Sequence, residues 1–143
     1  MIFDATNLFS DAQAVTASAA STNVIDLGAA QTPKHGAQAV TKDLGKGNPV
    51  GIRIQVVEDF ATLTSLAVAL QKDTVEGFGS PETVISLATV AAADLVAGYV
   101  FPLETLPRGA DQRYLRLNYT VTGSNATAGK ITAGLVFANE QLN

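Results

Sequence analysis

Alternation of apolar and polar residues, broken at short intervals by glycine and proline, leaves few folds open to this chain. In "YLRLNYTVTGSNATAGKITAGLVF", Tyr114 to Phe137, the residues Leu115, Leu117, Tyr119 and Val121 alternate with Arg116, Asn118 and Thr120. Beyond "TGSNATAGK" the pattern resumes with Ile131, Ala133, Leu135 and Phe137. Successive side chains of a strand point to opposite faces, so each run is a strand with one buried face. The stretch reads as a β-hairpin, two strands joined by a short turn.

The same period recurs upstream. Ile52, Ile54 and Val56 alternate with Arg53 and Gln55, and Leu66, Val68 and Leu70 alternate with Ala67 and Ala69. "TVISLATV" is rich in β-branched residues. "STNVIDLGA" is the first strand candidate, and "YVFPLET" is a strand whose Pro102 places it at an edge or a bulge. Turns fall at "VEGFGSPE" and "LPRGADQ". "AAADLVAG", residues 91–98, fits one helical turn or an irregular crossover equally well. No segment carries the 3.6-residue period of an amphipathic helix. Short strands at regular spacing predict an all-β domain, a jelly roll or related antiparallel β-sandwich. Its expected core is Ile52, Ile54, Val56, Leu66, Val68, Leu70, Leu115, Leu117, Tyr119, Leu135 and Phe137.

Residues 1–21, "MIFDATNLFSDAQAVTASAAS", are biased differently. Large apolar residues come first and small ones follow, and small residues bury too little area to support a core. The division expected is an extended N-terminal arm over 1–21 and a sandwich over 22–143. A floppy terminus is one reading of the arm. The other is a strap that docks Phe3, Leu8 and Phe9 on a neighbouring subunit and orders only on docking. Residues 30–49 hold Pro33, Gly36, Gly45, Gly47 and Pro49 and read as a long loop. Lys34 and His35 are expected to be exposed on it, as partner contacts.

Chemistry is sparse. The only histidine is His35, in a turn-like "TPKHGA", so one chain cannot assemble a histidine metal site. There is no cysteine and no "GxSxG" elbow. "LGKGNPVG" lacks the spacing of a phosphate-binding loop. Glu58 and Asp59 are strand neighbours that face opposite ways, a poor acid–base pair. "NYT" and "NAT", at Asn118 and Asn125, match the glycosylation pattern, but "MIFDATNLFSDAQ" carries Asp4 where a secretory leader is basic. Those matches are read as chance. No catalytic residue, cofactor or metal is expected.

Net charge is −4 and the cations are scattered, so nucleic acid is not an expected partner. The apolar window Ile85–Leu103 is interrupted by Asp94, Gly98 and Pro102 and is not a membrane span. Charged residues are only 15% of the chain against 47% hydrophobic. So little charge points to a surface that meets another protein.

The stretches "NLFSDAQAVTASAASTNVIDLG", "YVFPLETLPRGADQRYLRL" and "RYLRLNYTVTGSNATAGKITAGLVF" together resemble the small capsid cement proteins, or decoration proteins, of tailed bacteriophages. The resemblance implies a β-rich, jelly-roll-like protein on the outside of the virion head. It implies binding to the major capsid protein, bridging of neighbouring capsid subunits, self-association as a dimer or trimer, and no enzymatic role. Two other classes compete. A carbohydrate- or receptor-binding β-sandwich would need exposed rings, and the only tyrosines are Tyr99, Tyr114 and Tyr119, with no tryptophan. A cupin-like enzyme would need His35 as a metal ligand.

Overall fold

Among the described residues seven strands carry the backbone: β1 (Ile2–Ala14), β2 (Ala19–Ala20), β3 (Ile25–Asp26), β4 (Gly51–Asp73), β5 (Glu82–Ser86), β6 (Val90–Ala91) and β7 (Tyr114–Phe137). The structure, a computed structural model, describes residues 2–32, 34–36, 38–40 and 42–137, without the side chains of Ile2 and Phe137. The core expectation for Phe137 therefore lies outside the described residues. All pairings are antiparallel, and among the described residues the only helical turn is a 3-10 turn at Ala92–Asp94.

β4 and β7 are the longest elements, with 23 and 24 residues, and they pair from Gly51↔Val136 to Asp73↔Tyr114. Residues 2–27 run along the free edge of β7, from Ile2↔Phe137 through Ala20↔Asn118 to Asp26↔Tyr114. The gaps between β1, β2 and β3 are bridged by Val15 N to Gly129 O and Ser21 N to Leu117 O. Residues 82–106 run along the free edge of β4 in the same way. Lys72↔Glu82 starts that pairing, and Phe101 N to Ile54 O and Ile52 N to Glu104 O continue it. The chain is thus four long ribbons in the order 2–27, 113–137, 50–73, 82–106.

Each ribbon bends midway. The bends lie near Ala12–Ser18, at Thr62, at Ala92–Gly98 and between Gly123 and Gly129. Each ribbon therefore supplies one strand to each of two facing layers, and hydrogen bonding continues around the bend. This is a jelly roll. Every expected core residue with a described side chain is buried, in one cluster that draws on both layers.

The expected hairpin at the C-terminus is instead one bent strand. Both of its halves pair with β4, not with each other. Between Ala61↔Ala128 and Leu63↔Gly123 the chain advances two residues on β4 and five on β7. The surplus loops out as a wide bulge, which Gly123 (φ 87°) and Gly129 (φ 134°) open and close. Thr62 Oγ1 holds it, accepting from Thr127 N at 3.0 Å and lying 2.7 Å from Asn125 O. A glycine-rich polar run reads the same whether the chain reverses or only swerves. Likewise, the two runs read as separate strands around 52–70 are one strand, β4. The Pro102 segment does lie at an edge, held by isolated bridges Gly51↔Thr105 and Gln55↔Val100.

Candidate interaction surfaces

The bends close one end of the jelly roll. The other end carries the loops 28–49, 74–81 and 107–112, and a cleft of about 590 Å³ opens there between the layers. Its walls are largely apolar: Ile25 and Leu27 from one layer, Leu135 and Val50 from the other, and Leu44 and Pro49 from the long loop. Asn7, Asp26, Glu104 and Thr105 supply the polar lining.

The base of the long loop is built to stay. The Asp43 carboxylate accepts from Gly45 N at 3.0 Å and from Gly109 N at 3.2 Å, and Leu44 N donates to Ala110 O. A Cβ on Gly45 would stand 2.0 Å from the Pro107 carbonyl oxygen, so only glycine fits between the two loops. The loop 74–81 is anchored differently. The buried Asp73 carboxylate accepts from Val75 N and Ser80 N, which holds it below the usual carboxylate range. Phe78 of that loop is buried beneath the Arg116 guanidinium, 4.2 Å from the ring centre.

Asp26, at the cleft rim, takes both arms of the Arg113 guanidinium, at 2.9 and 2.8 Å. That fork, with a bond from Gly28 N, lowers its pKa from 3.8 to about 2. The folded value lies below the unfolded one, so the stabilisation is complete above about pH 4 and is lost as pH falls towards 2. Melting curves between pH 5 and 2 should show the wild type losing Tm across that window. Asp26→Asn should lose measurably less between the same limits. Parallel curves for the two proteins would refute the assignment. Both side chains are about two-fifths exposed, so the difference will be small.

The residues expected to meet a partner divide into three groups. Phe3 and Leu8 are half-buried on β1, paired with Val136 and Gly134. Lys34 and His35 are exposed in a turn of the long loop, on a different segment. Phe9 is a correction: it is fully buried in the chain's own core and is not available to a partner. Residues 2–15 add Phe9 and Val15 to the core of the sandwich. The reading that segment 1–21 orders only on docking differs from what is found, since β1 pairs with β7 of the same chain.

A polar chain that runs from the surface into the core escaped sequence reasoning. Ser10 Oγ donates to Gln13 Oε1 at 2.6 Å and so receives the Tyr119 hydroxyl at 2.8 Å. Gln13 in turn donates to Ala20 O and accepts from Thr22 N. Burial pushes the Tyr119 phenol well above its ordinary pKa. Nothing local in "SDAQ" signals a partner more than a hundred residues away. The cleft residues Leu27, Leu44 and Val50 were also missed. Leu44, a lone leucine in a polar loop, was the available signal.

Tyr114 and Tyr119 are buried, and Tyr99 packs edge-on against Phe101 at 5.3 Å. The open end therefore presents no pair of tyrosine rings to a sugar. Glu58 and Asp59 turn to opposite ribbons, Glu58 to Lys130 and Asp59 to Ala97 N. Among the described residues, no three of His, Cys, Asp and Glu gather as a metal site, and no helix is long and apolar enough to cross a membrane. Compared with known families, residues 9–135 match the Bbp16 family. No curated protein matches the chain.

Proposed function

This chain belongs to the Bbp16 family, and we propose that it is a structural virion protein, a cement or decoration protein of a tailed-phage head. It binds the outer surface of the capsid and bridges neighbouring major capsid subunits, and it acts by holding rather than by turnover. The observation that carries this reading is the loop-bearing end of the jelly roll. Beside the long-loop base that Asp43 ties to Gly109, an apolar cleft of about 590 Å³ opens, with Leu44 of that base in its wall. Such a cleft accepts apolar side chains of a protein partner. The family resemblance in "NLFSDAQAVTASAASTNVIDLG" and "RYLRLNYTVTGSNATAGKITAGLVF" points the same way. Low charge suits a surface that must pack against many identical neighbours, where modest contacts add up over the lattice.

Co-sedimentation with empty phage heads tests it. The protein should pellet with heads, saturate at a fixed number of copies per capsid subunit, and raise the temperature at which heads rupture. Leu44→Asp, which places a charge in the cleft, should weaken binding at least tenfold without unfolding the protein. A protein that stays in the supernatant at concentrations far above those of the heads would overturn the proposal.

A further inference from the structure

We propose that the N-terminal ribbon, residues 2–27, exchanges between two copies of this chain, so that each copy completes the other's jelly roll. The partner is a second copy, and the receiving surface is the edge of β7.

Three observations carry this. The ribbon is outermost, and its strand pairing among the described residues is with β7 alone. It can leave without breaking the ladder of β4 and β7 or the pairing of residues 82–106. It is nevertheless indispensable to the fold. Phe9, Val15 and Ile25 are buried in the core, and Ser10 binds the Tyr119 hydroxyl inside it. A jelly roll without a ribbon would expose both the core and a long strand edge, so each must have one, its own or another's.

The third observation is the tether. Every described residue from Ala29 to Val40 is exposed, and the chain is fixed again at Lys42–Gly45. Lys42 Nζ reaches the Leu27 carbonyl at 2.9 Å, and Leu27 and Leu44 line the same cleft. The gap is short. The fourteen residues 28–41 (41 − 28 + 1), fully extended, span about 45 Å. A tether of that reach can also span to a neighbour, but closure within one chain wins unless neighbouring chains stand near the effective concentration that the tether sets. The same strand pairs and core contacts form either way, which makes exchange a low-cost route to association. Effective concentrations for such flexible links are on the order of millimolar. If the chain decorates a capsid, as proposed above, copies fixed side by side meet that condition. Two exchanged copies then separate only when a core opens.

The absence of cysteine makes the test clean. Ala20 and Asn118 are partners across the ribbon and β7, and both are partly exposed. The double variant Ala20→Cys/Asn118→Cys reports closure within one chain. The two single variants are unfolded, mixed in equal amounts and refolded together at about 1 mM and about 1 µM, concentrations chosen to bracket the millimolar scale. Exchange predicts a disulfide-linked heterodimer at the high concentration, at least tenfold less at the low one, and little from briefly mixed folded chains. A double variant that closes while the co-refolded singles stay unlinked would overturn the proposal. So would Ala20→Cys alone giving as much linked dimer as the mixture, because surface contact then accounts for the link. The unmodified chain supplies a second readout. Dimer formed by refolding at high concentration should persist for hours after dilution, and immediate return to monomer would overturn exchange. Co-sedimentation with heads is scored separately, so failure here leaves the capsid reading standing.

Discussion

Gly129→Ala is expected to cost roughly 2–6 kcal/mol of folding stability, the sum of two independent penalties. The first is backbone strain. At φ 134° an alanine sits in a region that L residues rarely adopt, a cost of about 1–3 kcal/mol. The second is overlap. The new Cβ would stand 2.3 Å from Cδ1 of Phe60, with two further ring carbons at 2.5 Å. Phe60 is itself buried, and forced overpacking of this kind costs about 1–3 kcal/mol. Urea denaturation measures the sum. Adding Phe60→Leu to the variant should recover part of the overlap and none of the strain. A loss below about 0.5 kcal/mol, the size of an ordinary surface substitution, would mean that the β7 bulge is not built as described.

Phe9→Ala is the second large effect. A fully buried phenylalanine truncated to alanine loses about 3–5 kcal/mol, through lost transfer energy and the cavity left behind. The expected result is a loss of that size in the isolated protein at micromolar concentration, with no other macromolecule present. Phe3→Ala, at a half-buried position near the end of β1, should cost about 1 kcal/mol. If residues 2–14 were a strap that ordered only on a capsid, both variants would melt with the wild type and differ only in head binding. Limited proteolysis of the free protein gives an independent check. Cleavage should fall within residues 29–40, whose described members are all exposed, before it touches residues 2–14.

The period-2 pattern gave away the fold class and most of the core. Ile52, Ile54, Val56, Leu66, Val68 and Leu70 keep one parity along β4, so their shared face was visible without knowing their partners. Continuity was hidden. Thr62, with φ 72°, turns β4 aside without ending it, and a threonine in the left-handed region leaves no mark in a sequence. The bulge in β7 was hidden for a related reason, since glycine and asparagine serve turns and bulges alike. The N-terminus misled because its partners are distant. Ser10 and Tyr119 are 109 residues apart, and composition alone makes residues 1–21 look unable to fold. The long loop was legible as a loop, and Lys34 and His35 as exposed. That its base at Asp43–Gly45 is locked onto residues 107–110 required the coordinates.

The side-by-side, antiparallel run of four long ribbons has a mechanical consequence. The first residue of β1, Ile2, is paired with the last of β7, Phe137, so a load that pulls them apart peels the outer ribbon one hydrogen-bonded step after another. A load applied along the ribbons, between the loop-bearing end and the bends, acts in shear. It must break the rungs between β4 and β7, from Gly51↔Val136 towards Asp73↔Tyr114, together rather than in turn. The molecule is therefore stiff along its length and weak at the Ile2–Phe137 pair, and any assembly that uses it as a tie gains strength by gripping the two ends of the roll.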